Sequence, residues 1–136
     1  MQKKQEQSKF IADGLFPADR NILWAAWCSV NREQAESLLE GKPTGTFLFR
    51  KDSFAEVLEN QLQENLNQPV QCYTLTWTQG HHKISDYTLV YVGNAWQLYD
   101  DDPQLKQRSF AYLKELLDSF KEILKYPLYQ KQRLAA

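Results

Sequence analysis

Arg50 is the residue in this chain best placed to do chemistry, because it closes the apolar run Phe47-Leu48-Phe49. Strand side chains alternate, so Phe47 and Phe49 share one face while Leu48 and Arg50 share the other. Three apolar neighbours then imply that both faces are covered. An arginine on a covered face needs an anion, since a buried charge without a partner is strongly destabilising. Two sources remain open. Arg50 either pairs within the chain, with Asp52 on the same face at the strand mouth or with a glutamate elsewhere, or it waits for a ligand. In the second case its planar fork grips a carboxylate or phosphate through two parallel hydrogen bonds.

Other reactive residue types form no comparable pattern. His81 and His82 are adjacent on a strand and face opposite ways, which cannot build a two-histidine metal site. There is no nucleophile elbow and no glycine-rich phosphate loop. A binding module is therefore expected, not an enzyme, with no cofactor and no metal. Cys28 and Cys72 sit in apolar stretches without metal-ligand spacing, and are expected as buried free thiols in a reducing compartment.

The elements that position Arg50 follow from periodicity. Phe10, Ile11, Leu15 and Phe16 read as a short segment docking on the domain, after a polar leader. Residues 22–28, with Trp24 and Trp27, read as an apolar opening strand or extended piece. Asn31 is a helix N-cap with Gln34 at capping-box spacing, and Gly41 and Pro43 end that helix. After the 46–50 strand, Ser53 and Glu56 open a second helix in which Phe54, Leu58, Leu62 and Leu66 recur every fourth residue, with Val57 beside them. Residues 67–69 stop it. Residues 70–78, 81–85, 87–92 and 96–99 alternate as strands around the turns Gln79-Gly80 and Gly93-Asn94, and 100–103 is a loop. Ser109 caps a last helix carrying Phe110, Leu113, Leu117, Phe120 and Leu124, which Pro127 ends. The expected fold is α+β, a central antiparallel β-sheet flanked by two α-helices, with an extra helix inserted after the arginine strand.

Composition narrows the partners. The 136 residues suit one domain with a real core, and 43% hydrophobic with 13% aromatic content excludes a disordered chain. A net charge of −1 argues against a general nucleic-acid binder, which needs a basic face. No apolar run approaches the roughly 20 residues of a membrane span. A monomer is expected, with neither nucleic acid nor membrane as partner.

From about residue 24 to 128 the chain resembles a Src homology 2 (SH2) domain, the module that recognises phosphotyrosine. Asn31-Arg32-Glu33-Gln34-Ala35-Glu36-Ser37-Leu38-Leu39 is similar to the family's first helix, and Gly45-Thr46-Phe47-Leu48-Phe49-Arg50 to its signature strand. Tyr73-Thr74-Leu75-Thr76 resembles the third strand, and His81-His82-Lys83-Ile84 the His-Tyr-Lys-Ile run that follows. Phe110, Leu113, Glu115, Leu116, Leu117 and Phe120 resemble the closing helix, and Tyr126-Pro127-Leu128 the exit. The resemblance implies that Arg50 takes two phosphate oxygens, that Arg32 assists from the first helix, and that Lys83 and His81 flank the phosphate or the tyrosyl ring. It implies a tyrosine-phosphorylated protein or peptide as partner, a role in signalling, and a cytoplasmic location. The domain would span 22–129, with a partly docked extension at 1–21 and a tail at 130–136.

The chain departs from the family in three places. The family's opening tryptophan stands seven residues before the helix arginine, a register that falls here on Ala25 between Trp24 and Trp27. Asp52 stands where a serine or threonine is usual, so it must turn away, pair with Arg32 or Lys51, or hold Arg50; Ser53 is then the better phosphate donor. The loop that cups the phosphate has become the 53–67 helix. Its first turn is expected to aim the amides of Phe54, Ala55 and Glu56 at the phosphate, with Val57, Leu58 and Leu62 as a lid over the ring. Such long inserts resemble those of SH2-like domains in some bacterial effectors, for which the cytoplasm would be that of a host. The loops at Gly93 and 100–108 offer no hydrophobic slot, so weak dependence on flanking sequence is expected. The rival reading is a degenerate scaffold that binds a protein partner without phosphate.

Overall fold

A computed structural model describes residues 11, 14–81, 83–99 and 108–129. The expectations placed on the polar leader, Phe10, His82, the 100–103 loop and the 130–136 tail lie outside the described residues. In chain order the elements are α1 (Pro17–Ala25), α2 (Arg32–Leu39), β1 (Thr46–Arg50), α3 (Ser53–Leu66), β2 (Val70–Gly80), β3 (Lys83–Val92), β4 (Ala95–Tyr99), α4 (Leu113–Ser119) and β5 (Tyr126–Pro127). The strands form one sheet in the order β4-β3-β2-β1-β5. Its long pairings are antiparallel, as expected, but β5 joins β1 in parallel, so the sheet is mixed. Gly45 permits that junction. It adopts φ +95°, its carbonyl accepts from the amides of Lys125 and Tyr126, and a Cβ there would stand 3.0 Å from the Ile123 carbonyl oxygen.

The alternation in β1 sorts the core onto two faces. Phe47 and Phe49 join Tyr73, Leu75 and Trp77 of β2 beneath Leu23 of α1 and Leu113 and Leu116 of α4. Leu48 faces the other way, onto Ala35 and Leu39 of α2. Farther along that second face, Ala55 and Leu58 of α3 pack on Val70, Cys72 and Val90. Two helices thus cover each face, and the inserted helix lies beside α2.

The N-terminal region differs from its sequence expectation. The 22–28 stretch is not a strand: its first half belongs to α1, which starts with Pro17, a residue whose missing N–H and fixed φ suit a first helical position. Asp19 and Leu23, four apart, form its buried face. Trp27 then makes a single parallel bridge to Phe49 and is 2% exposed. Ile11 and Leu15 are buried in the same core. The expected boundary at 21/22 falls inside α1.

Helix caps hold in one case and shift in two. Asn31 and Gln34 form the reciprocal capping box expected of them. The cap of α3 is Asp52, not Ser53: the Asp52 carboxylate accepts from the Ala55 amide at 2.8 Å. The helix ends at Asn67 in the left-handed conformation. Ser109 does not cap the last helix, which begins at Leu113 with its amide donating to the carboxylate of distant Asp19.

Two stability predictions follow from the α3 face. Leu58 is 5% exposed, so Leu58→Ala should destabilise the fold by about 2–5 kcal/mol in a denaturant titration. Cys72, fully buried, has its thiol pushed from 9.0 up to about 12, first by burial and then by the Glu59 carboxylate, with Lys51 opposing. Below pH 9 the thiol is neutral in both folded and unfolded chains and its contribution is intact. Between about 9 and 12 only the unfolded chain ionises, so that contribution is lost. Guanidinium midpoints should fall from pH 8 to pH 10.5, and fall less in Cys72→Ala.

Candidate functional site

Arg50 leaves β1 on the α2/α3 face, where the N-termini of those two helices flank an open cleft of about 550 Å³. Trp27, Ser29, Val30, Arg32, Ser53 and Asp86 are among its lining residues. Arg50 is 2% exposed and forms the floor. Leu48, Thr76 and Asp86 stand in one row across β1, β2 and β3 and so share a face with Arg50. That register places a hydroxyl and a carboxylate diagonally beside the guanidinium.

The anion Arg50 needs is therefore supplied from within the chain. Its Nε donates to the Thr76 hydroxyl at 2.9 Å, and its Nη2 lies 3.3 Å from Asp86 Oδ1. Thr76 in turn donates to the same Asp86 oxygen at 2.5 Å. The other oxygen, Oδ2, accepts from Arg32 Nη1. Asp86 thus bridges both arginines. Asp52 stands 3.6 Å from Arg50 through Oδ2, too far for a hydrogen bond but close enough to share the charge, while its Oδ1 caps α3. Of the roles open to Asp52, holding Arg50 is the one observed. Lys51 pairs with Glu59 at 2.5 Å instead, and the same Glu59 oxygen accepts from the Cys72 amide.

Several expected site residues lie elsewhere or are already engaged. His81 occupies the tight turn after β2, with φ 55°, and lines a separate groove with Thr44, Gly80 and Ile84. Lys83 is exposed beside it, pairing with Gly80 in the hairpin. Both sit three or more residues along the chain from Asp86, roughly 10 Å at strand rise. Neither lines the Arg50 cleft. The likeness of 81–84 to the family's His-Tyr-Lys-Ile run therefore corresponds to residues that lie apart from the Arg50 cleft. The amide of Ala55 is taken by Asp52, and that of Glu56 closes a helical bond to the Asp52 carbonyl, so neither points at an incoming anion. Leu58 packs on the sheet and Leu62 against the same cluster, so neither is a lid; their four-residue spacing served the core. Val57 and Phe54 are each 54% exposed. Arg32, Arg50 and Ser53 do meet in one cleft.

Asp86 is the site residue that sequence reasoning missed. Its signal was an acid in the middle of a strand-like run, a setting in which aspartate is depleted unless something holds it. No three His, Cys, Asp or Glu side chains among the described residues group to hold a metal ion. No helix among them is long and apolar enough to cross a membrane.

The architecture has counterparts among solved structures. The SH2 domain of the Monosiga brevicollis CRK/CRKL homolog (crka1) matches over 90% of this chain and 96% of its own, with 21% identity and a TM-score of 0.51. The VAV1 SH2 domain complexed with a tyrosine-phosphorylated peptide from SLP76 matches over 88% of this chain and 80% of its own, at 19% identity and a TM-score of 0.49. The SH2 domain of human proto-oncogene protein VAV1 matches over 88% and 78%, at 17% identity and 0.44. No family model and no curated protein matches the chain. The strand order, the helices on both faces and the first of these likenesses define the class: the chain has an SH2-like fold.

Proposed function

We propose that this domain is a phosphotyrosine-binding module in which Arg50 and Arg32 hold the phosphate and Ser53 assists. The observation that carries the reading is that two arginines from different elements, β1 and α2, already converge on one carboxylate above the cleft floor. A phosphate placed where Asp86 now sits meets both guanidiniums, and Arg50 has the geometry for two parallel bonds. Depth selects the residue. Arg50 is nearly fully buried, so a phosphate must be carried down on a long, rigid ring, which phosphoserine lacks. Val30 and the Arg32 stem, both at the cleft, supply a wall for that ring.

The residues flanking the phosphotyrosine would cross the sheet beside Arg50. Thr74, Thr88 and Tyr99 continue the Arg50 row across β2, β3 and β4, and exposed Phe54 meets the Tyr99 ring at 6.1 Å. Phe54 and Val57 are what remains of the expected lid, and dependence on flanking sequence is weak. The domain acts in the cytoplasm as a monomeric, non-enzymatic reader of phosphorylated proteins.

The second reading is a phosphate-independent scaffold. It is favoured by the charge balance of the cleft, where Asp52 and Asp86 offset Arg32 and Arg50. Calorimetric titration with one peptide in tyrosine-phosphorylated, serine-phosphorylated and unmodified forms separates the two. Binding of the phosphotyrosine form alone is expected. Equal binding of all three forms would establish the scaffold instead.

A further inference from the structure

We propose that the groove between α1 and α4, on the side of the sheet opposite Arg50, docks an acidic amphipathic helix of a partner protein. This goes beyond the phosphate-binding reading and does not rest on it.

The groove follows from how the two helices are tied. Asp19 of α1 accepts from the amide of Leu113, at the start of α4, and from Trp96 of β4. The helices therefore meet at their first turns, on the β4 side of the sheet. Above β1 the gap between their later turns is an open groove of about 560 Å³, within the roughly 300–1,000 Å³ of ligand sites. Its floor is core surface, made by Leu124 and by Phe47 and Phe49, whose rings are 5.7 Å apart. Ile22 and Ala25 of α1 form one wall. Lys114, Leu117, Asp118 and Lys121, at i, i+3, i+4 and i+7 along α4 and the turn after it, form the other.

Charge names the occupant. Three lysines, Lys114, Lys121 and Lys125, line the groove with one acid, Asp118, on a chain whose net charge is −1. The Lys114–Asp118 pair is 77% and 63% exposed and so weak, and Lys121 and Lys125 form no ion pair among the described residues. In the Arg50 cleft, by contrast, Asp52, Asp86 and Glu59 answer Arg50, Arg32 and Lys51. An apolar floor under unmatched lysines is complementary to apolar side chains flanked by carboxylates.

The chain's own ends do not supply these. Residues 1–10 carry Lys3, Lys4 and Lys9 against Glu6, and 130–136 carry Lys131 and Arg133 without an acid. Asp100, Asp101 and Asp102 follow β4, at the opposite edge of the sheet from β5. A flat lipid surface would reach the lysines but not the floor, since Phe47 and Phe49 are 6% and 0% exposed. An added strand fits no better, because the edge strand β5 holds Pro127, which has no N–H to extend the ladder. A helix needs no ladder and sets apolar anchors at i, i+3, i+4 and i+7 into such a groove. Arg50 opens on the other face, so the domain can hold a phosphotyrosyl peptide and this partner at once.

The test uses the full chain, isotope-labelled, and two helical peptides of about 20 residues. Both carry leucines at i, i+3, i+4 and i+7, flanked by glutamates in one and by lysines in the other. The acidic peptide is expected to shift the amide resonances of Ile22, Leu117 and Lys121, and the basic one to leave them in place. Lys121→Glu with Lys125→Glu, both at exposed positions, should weaken the acidic peptide about 10-fold or more. Ala25→Trp, checked by its melting curve, should block the groove with no change of charge. Phosphotyrosyl-peptide affinity is measured beside these and should be the same in wild type and variants; its absence throughout would overturn the phosphate reading and leave this inference standing. No shift at the groove, equal binding of the two peptides, or acidic-peptide binding that survives both variants would overturn the inference. So would lysine-dependent binding to phosphatidylserine vesicles without peptide binding, which gives the groove to a membrane, or lysine-dependent self-association in sedimentation, which gives it to a second copy.

Discussion

Arg50→Ala is expected to abolish phosphate-dependent binding at micromolar peptide. Each hydrogen bond from a charged donor contributes roughly 1.5–3 kcal/mol, and Arg50 offers two to a phosphate. Part of that gain is offset, because Arg50 gives up its 3.3 Å contact with Asp86 when the ligand arrives. A net loss of about 2–4 kcal/mol remains, roughly 30- to 1,000-fold in affinity. Arg50→Lys should not restore it. An ammonium is a point charge that cannot make two parallel bonds while also serving Thr76, which now accepts from Arg50 Nε. Both variants leave Asp52 and Asp86 less well compensated, so their melting temperatures should be recorded beside their affinities. A loss of binding in a variant that still melts cooperatively assigns the effect to the site.

The largest stability effect is expected far from the cleft, at Asp19. Its carboxylate is fully buried and accepts from Trp96 Nε1 at 2.9 Å and from the Leu113 amide at 3.0 Å. One side chain of α1 thereby ties down β4 and caps α4, elements more than 70 residues away. Asp19→Ala strands both donors in the core, each at a penalty of about 1–3 kcal/mol. For a domain of this size, at roughly 3–5 °C per kcal/mol, the resulting loss of about 2–6 kcal/mol corresponds to a drop in melting temperature of roughly 6–30 °C. Asp19→Asn should fall in between, since its amide keeps one acceptor and turns a donor toward the other N–H. The effect is readable by thermal denaturation, with phosphopeptide affinity at 15 °C as the control that should not move.

What the sequence revealed divides by the range of the physics involved. Local signals were legible: the capping box at Asn31 and Gln34, the alternation of β2, the four-residue period of α3, and the inward arginine of β1. Contacts between distant residues were not. Asp19 and Leu113 are paired by tertiary packing alone, so local spacing points instead to Ser109 as the cap and to a strand or extended piece over 22–28. The cleft shows the same division. Arg50 is singled out by the chemistry of its position and Arg32 by the resemblance, whereas Asp86 enters only through the β2–β3 register that sets it beside Thr76. A likeness of four residues at 81–84 could not substitute for that register. The apolar period of α3 was real, but periodicity names a buried face without saying what buries it, and here it is the domain's own sheet.

The inserted helix thus contributes to the site mainly through its first residues. Asp52 caps it and stands near Arg50, and Ser53 lines the cleft. Its outer face, with Phe54 and Val57, is left to meet whatever lies along the β3–β4 side. Glu59, deeper in the helix, pairs with Lys51 at the cleft and accepts from the Cys72 amide near the start of β2.

The most direct test of the account is a titration of the domain with a phosphotyrosyl peptide followed by the side-chain Nε–H resonances of its arginines. Arg50 and Arg32 resonances should shift together and saturate at one equivalent, and the unphosphorylated peptide should leave both in place. Stoichiometric peptide binding with the Arg50 resonance unmoved would contradict the account, because Asp86 would then still hold the place assigned to the phosphate.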